Sequence, residues 1–310
     1  MWDEVTNILA AMGTLLNSIG DFFLEKAIAA ESRRAGLVRD SLQLSFGDVE
    51  FLRSANSASG ALSEALVLLH GAAADKTSWL RFAQHLKSGL PLIIPDLPGH
   101  GKSVSDIGLD YGIQYQAARL KEFLAALGIK RAHLIGNSMG GAIAIQLAAT
   151  SPALVASLVL IDTAGADVTP SWLRQHVEKT GINPMLEVRD ASDYRAMMRI
   201  GMEAPPYIPG IMVSALAREF VKRTAINRKI AEDIAQDLDQ TAHLPKITTP
   251  TLILWGAMDK IFHVDNAEFL HREITNSRKI VMEKVGHVPM VEAPKEVALV
   301  CSEFFRDVVE

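Results

Sequence analysis

The sequence predicts an α/β fold: a mostly parallel eight-stranded sheet with helices on both faces, interrupted by one helical insertion. Three observations point there. Apolar runs of strand length recur at 66–69, 92–94, 133–135, 158–161, 251–255 and 280–282, and strands that are apolar without alternation are those buried on both faces. Helical stretches at 113–127, 140–149, 266–274 and 295–308 separate them, and strand alternating with helix selects a parallel sheet. The interval 167–243 breaks the rhythm. It holds helical patches and Pro170, Pro184, Pro205, Pro206 and Pro209 but no buried strand, so it reads as a helical cap inserted between two strands of the core.

The remaining two strands precede the apolar runs. Residues 42–46 and 49–53 alternate as a short hairpin, and 56–60 reads as a turn. The expected organisation is therefore an N-terminal helical segment over 1–36, a core over 37–166 and 244–310, and a cap over 167–243. Internal repeats and low-complexity stretches are absent from the sequence.

Composition narrows the function classes. A hydrophobic share of 49% with 22% charge in 310 residues suits a globular chain with a large core. A net charge of -5 and a pI near 6.0 give no basic face for a polyanion, which excludes nucleic acid as a partner. Cys301 is the only cysteine, so no intramolecular disulfide forms. With Leu299, Val300 and Phe304 around it, it reads as a buried structural thiol.

At the amino end Val5, Ile8, Leu9, Met12, Leu15, Leu16, Ile19, Phe22 and Phe23 fall at helical spacing. The opposite face carries Thr6, Asn7, Thr14, Asn17, Ser18 and Asp21. Residues 5–24 thus form a two-faced helix rather than the continuous apolar run of a membrane span. Asp3 and Glu4 stand where a secretion signal needs basic residues, which argues against a cleavable signal peptide. Three roles stay open: a helix lying in a membrane interface, one pairing with a second subunit in a homodimer, and one folded back on its own domain.

The chemistry centres on Gly136-Asn137-Ser138-Met139-Gly140, which follows one buried strand and runs directly into a helix. This is the G-x-S-x-G elbow, in which a strained turn projects a nucleophilic serine at a helix amino end. A serine hydroxyl needs a base, and His287 follows the last strand. The base needs an acid to orient it. Asp259, in Trp255-Gly256-Ala257-Met258-Asp259, follows the preceding strand, and the order Ser, Asp, His is the one this elbow accompanies. Asp162 is the rival acid, placed at the end of another strand. The oxyanion of a tetrahedral intermediate needs two backbone donors, assigned to Met139 and Ala72, with Ala73 as the neighbour that serves if the loop turns one residue later. His70 reads as structural. The stretch from Asp96 to Ser103 lacks phosphate-loop spacing and reads as a turn. No cluster has metal-ligand spacing, and no metal or cofactor is expected.

Together these residues resemble the α/β-hydrolase superfamily from about Leu66 to the end of the chain. The stretches 94–101, 136–141 and 286–292, with Ala204-Pro205-Pro206-Tyr207-Ile208-Pro209 inside the cap, look like the Moraxella-type bacterial lipases. Relatives of that group include membrane-anchored bacterial phospholipases A with an N-terminal membrane helix that contributes to dimers. The resemblance implies a serine carboxylic-ester hydrolase acting on lipid-like acyl esters and releasing fatty acid, associated with a bacterial inner membrane; a soluble cytoplasmic protein is the alternative. Meta-cleavage carbon–carbon hydrolases share Gly-Asn-Ser-Met-Gly-Gly but usually carry Trp where Val288 stands. A non-catalytic binding protein on the same fold would most often have lost a member of the triad, and all three are present. Ligand sites are mostly apolar, and Met185, Leu186, Met197, Met198, Tyr207, Ile208, Ile211 and Met212 are expected to line an acyl tunnel beneath the cap.

Overall fold

The computed structural model describes residues 2–57 and 62–309, with side chains described at 16–56 and 62–309. Eight strands form one sheet: β1 (Leu37–Leu44), β2 (Gly47–Ser54), β3 (Glu64–Leu69), β4 (Leu92–Pro95), β5 (Arg131–Asn137), β6 (Val155–Ile161), β7 (Thr251–Gly256) and β8 (Ser277–Met282). Their spatial order is β1-β2-β4-β3-β5-β6-β7-β8. The β1–β2 hairpin and the β2–β4 pair are antiparallel, and every other neighbour is parallel.

The helices are α1 (Trp2–Arg34), α2 (Leu80–Ala83), α3 (Ile113–Ala126), α4 (Met139–Thr150), α5 (Trp172–Thr180), α6 (Ala191–Gly201), α7 (Gly210–Lys222), α8 (Thr224–Asp237), α9 (Asp265–Glu273), α10 (Pro289–Glu292) and α11 (Pro294–Val309). Four of them, α5 to α8, stand between β6 and β7 without an intervening strand among the described residues.

The apolar runs bury both faces of the sheet. In β3, Ala65, Val67 and Leu69 enter a core with α3, α4 and α9, while Leu66 and Leu68 enter a second core with α2 and α11. In β7, Ile253 and Trp255 take the first side and Leu252 and Leu254 the second. Each such side chain contributes about 1.5–3 kcal/mol on full burial. Cys301 lies in the second core, and burial pushes its thiol upward, away from the reactive thiolate.

Three elements differ from the sequence reading. Strand β1 starts at Leu37 and not at 42, because most of its side chains are at least partly open to solvent and offer no apolar alternation to read. Strand β8 was expected to be buried on both faces, yet it is the sheet's edge, with Ile280 and Val281 exposed. Helix α1 continues ten residues past the two-faced stretch to Arg34. The turn expected over 56–60 includes a short 3-10 helix at Ala55–Ser57, and the rest of it lies outside the described residues.

From Leu16 onward, α1 rests partly on its own chain. A β-carbon on Gly20 would meet the Ile211 carbonyl oxygen of α7 at 2.7 Å, so only glycine permits this approach. Arg218 of α7 donates to the Asn17 side chain at 2.7 Å and also to the Asn17 carbonyl and the Asp21 carboxylate. Glu31 pairs with Arg81 at 2.9 Å. Leu16, Phe22 and Phe23 are left more than half exposed. The side chains of Val5, Ile8, Leu9, Met12 and Leu15 lie outside the described residues. Among the described residues no helix is long and apolar enough to cross a membrane.

Candidate active site

Parallel registers bring the carboxyl ends of five strands to one edge. Leu69 pairs with Gly136, Asn137 with Ile161, Ile161 with Leu254, and Gly256 with Met282. The segments leaving this edge carry Gly71 and Ala72, Ser138, Asp162, Asp259 and His287. Sites of open parallel sheets form at such an edge.

Ser138 occupies φ 54°, ψ -120°, a strained region for a residue with a side chain. The surroundings hold it there: its N–H donates to the Ile161 carbonyl at 3.1 Å and its own carbonyl accepts from Ala164 at 3.0 Å. The flanking glycines are sterically required. A β-carbon on Gly136 would stand 2.4 Å from the Gly140 carbonyl oxygen, and one on Gly140 would stand 2.3 Å from that of Leu69. Ser138 caps the amino end of α4, where the partial positive charge of the helix favours a developing anion.

Asp259 and His287 are buried, and His287 Nδ1 lies 2.8 Å from Asp259 Oδ2. The other Asp259 oxygen accepts from the N–H groups of Ile261 at 2.7 Å and Phe262 at 3.1 Å, which fixes the carboxylate. With Nδ1 facing a carboxylate, that nitrogen carries the proton and Nε2 is left as the basic nitrogen. The Phe262 ring packs 5.6 Å from the imidazole.

Two contacts outside the expected set join these parts. Asn137 Nδ2 donates to the His287 carbonyl at 3.0 Å and to the Ile161 carbonyl, tying the loop of His287 to the residue before Ser138. Glu292 accepts from Gly286 at 2.8 Å through one oxygen and from Glu203 and Ala204 at 2.8 and 2.9 Å through the other. Since His287 N–H also donates to the Gly201 carbonyl at 2.9 Å, the end of α6 is stitched to the loop bearing His287. Burial pushes Glu292 above the usual carboxylate range, against those three donors. Asn137 was legible as the second residue of the elbow, and Glu292 as the last of 286–292; neither position announced a partner.

The loop after β3 closes over Ser138, since a β-carbon on Gly71 would lie 3.1 Å from Ser138 Cβ. Among the described residues the N–H groups of Ala72 and Met139 have no acceptor, and Ala73 adopts φ 57°. His70 Nδ1 faces the Gly71 carbonyl at 2.8 Å while Nε2 accepts from the Leu97 N–H at 3.0 Å, which makes it a neutral imidazole holding that loop. Burial lowers its pKa to match. Asp96 is fully buried and accepts from the backbone of Lys76 and Lys102 and from the Lys76 ammonium, as a turn-stabilising residue would.

Asp162 stands beside this array. Donor atoms of Asp162, Asp259 and His287 lie within 4.8 Å of one another. A cation held by all three would have to draw on groups already engaged in the His287–Asp259 hydrogen bond.

The eight cap residues do not converge as one set. Tyr207 is 86% exposed, and Ile211 packs against Gly20 of α1. Met185, Leu186, Met197, Met198, Ile208 and Met212 are half-buried. A cavity of about 410 Å³ lined by Ala35, Ser54, Leu86, Lys87 and Leu92, among others, contains none of the eight and lies at the α1–β1 junction.

Residues 64–294 match the alpha/beta hydrolase fold family. The chain is 36% identical to Lipase 3 of a Moraxella species over 92% of this chain and 90% of that one. It is equally similar, at 36%, to Lipase 1 of Psychrobacter immobilis over 88% and 86%. Its structure superposes with a TM-score of 0.89 on the crystal structure of a membrane phospholipase A, a bacterial virulence factor, at 34% identity over 99% of this chain and 98% of that one. Sheet order, serine elbow and likeness over nearly the whole length agree, and the chain belongs to the alpha/beta hydrolase fold family.

Proposed function

We propose that this protein hydrolyses lipid-like acyl esters with Ser138 as nucleophile, His287 as general base and Asp259 as the group that orients the base. The observation that carries the reading is the buried 2.8 Å contact of His287 Nδ1 with Asp259 beside a serine held in a strained elbow. The protein is a carboxylic ester hydrolase, as its similarity to two bacterial lipases over most of its length supports.

In the first step Ser138 Oγ attacks the ester carbonyl carbon while His287 Nε2 takes its proton. The oxyanion accepts from the Met139 and Ala72 N–H groups, whose free donors suit that task. Collapse breaks the carbon–oxygen bond to the alcohol, which leaves with the proton from His287 and an acyl group on Ser138. Water, deprotonated by His287, then attacks the acyl carbon, and Ser138 leaves with the proton as the fatty acid is released. Asp259 favours the imidazolium in both steps.

On this reading residues 167–243 are the cap and 1–36 an N-terminal unit that contains α1. The half-buried methionines of the cap are adaptable apolar surface suited to an acyl chain. Within this class the preferred substrate is a phospholipid presented in a membrane. The likeness to a membrane phospholipase A supports this, as do the exposed Leu16, Phe22 and Phe23 of α1 with Lys26 beside the Phe22 ring. A helix with such a face lies in an interface rather than crossing it. The same face pairing between two copies would make a homodimer.

The test is fatty-acid release from phospholipid vesicles and from a p-nitrophenyl acyl ester. The wild type hydrolyses both, Ser138→Ala loses at least about 10⁴-fold on both, and a chain lacking residues 1–36 loses activity on vesicles far more than on the soluble ester. Full activity of Ser138→Ala removes the nucleophile assignment. Hydrolysis confined to the soluble ester removes the phospholipid.

A further inference from the structure

Asp162 is the buried ionisable group at the catalytic edge that the proposed mechanism leaves without a task. It is 0% exposed and, although not glycine, adopts φ 42°. Its backbone N–H donates to the Leu254 carbonyl at 3.0 Å and its Oδ1 accepts from the Gly256 N–H at 2.9 Å, so it is pinned to β7 at both ends. As an ionised carboxylate its Oδ2 has no donor among the described residues. The neighbours facing it are Asp259, His287 and, farther off, Glu292. Two carboxylates this close in a dry site do not both ionise. Asp259 is the one supplied with donors, from two backbone N–H groups and His287, so the shared proton belongs on Asp162.

We propose that Asp162 is a positioning residue, a neutral carboxylic acid whose Oδ2–H donates to Asp259 and thereby holds that carboxylate against His287. The orphaned oxygen then has a partner, because a protonated oxygen is a donor and Asp259 is an acceptor. Burial first, and the charge of Asp259 second, push Asp162 well above the usual carboxylate range. The backbone strain has a purpose too, since the left-handed turn after β6 lets one side chain reach both β7 and the Asp259 loop. The donated hydrogen bond spreads the charge of Asp259 and so keeps the imidazolium of His287 from becoming too stable to give its proton to the leaving alcohol. The inference rests on the reading of Asp259 and His287 given above.

The opposite case, an ionised Asp162 that only stitches β6 to β7, predicts the opposite signs. With a neutral Asp162, the infrared spectrum at neutral pH shows the carbonyl stretch of a protonated carboxyl, and Asp162→Asn removes it. Asp162→Leu takes away the donor, leaves Asp259 its full charge and moves the acid limb of the kcat/KM profile to higher pH, with kcat lowered about tenfold or more. Asp162→Asn keeps a neutral donor and restores the limb toward its original position. If the band is absent, or if Asp162→Asn shifts the acid limb to lower pH as loss of a negative charge would, the inference is overturned. The infrared band does not require turnover, so it stands or falls separately from Ser138→Ala, whose retained activity would instead remove the proposed function. Should Asp162→Leu fail to fold, the Asn variant and the spectrum still decide.

Discussion

At the scale of single residues, the site depends on hydrogen bonds that leave each atom one role. Asp259 illustrates it: one oxygen accepts from Ile261 and Phe262, and the other faces His287 and is the one left to accept from a protonated Asp162. An amide in its place has one acceptor oxygen and one NH₂ group. If the oxygen keeps the two backbone donors, the NH₂ faces Nδ1, forces the proton to Nε2 and removes the base. Asp259→Asn therefore lowers kcat by about 10³–10⁴-fold with KM little changed, read by steady-state kinetics on a soluble ester. Loss of less than tenfold would mean that the orienting acid is another residue, with Asp162 the nearest one. The Asp162→Asn variant adds a stability readout. A carboxyl whose folded-state pKa is raised keeps its proton while the unfolded chain releases it, so its contribution to stability falls as pH rises through the ordinary carboxylate range. The Asn variant consequently gains on the wild type as pH rises above about 4, measured as the difference in denaturant midpoint.

At the scale of elements, the base's loop and the end of α6 act as one unit. Glu292 holds Gly286 with one oxygen and the 203–204 backbone with the other, and His287 N–H reaches Gly201. A glutamine at 292 can accept through only one side-chain atom, which leaves either Gly286 or the 203–204 pair without its acceptor at a cost of about 1–3 kcal/mol. Glu292→Gln is expected to lower the melting temperature and also to lower kcat, because the loop that carries His287 loses a tether. A variant with reduced stability but unchanged kcat would separate the latch from the chemistry. Helix α1 reaches the same insertion from the other side, through Gly20 on Ile211 and Arg218 on Asn17 and Asp21.

At the scale of the whole molecule, what could be read from sequence was what repeats or what is chemically distinctive. Strands β3, β4, β6 and β7 are legible because burial on both faces leaves a continuous apolar run, and β5 through Leu134 and Ile135 beside the buried His133. Strand β8 carries a similar run at an edge, and nothing in three consecutive apolar residues distinguishes one covered face from two. The Ser138 elbow was readable because its glycines are forced by contacts below 2.5 Å. The His287 partner of Asn137 and the 203–204 partners of Glu292 were not, since those hydrogen bonds span 150 and 88–89 residues. The apolar cap side chains show the same limit: hydrophobicity marks Ile211 but not that its neighbour is α1. Covalent trapping distinguishes Ser138 from every other serine of the chain. Incubation with a fluorophosphonate ester followed by peptide mass spectrometry should give a single adduct on Ser138, absent in Ser138→Ala and formed much more slowly in His287→Ala. An adduct on any other residue, or labelling that persists in Ser138→Ala, would mean that Ser138 is not the nucleophile.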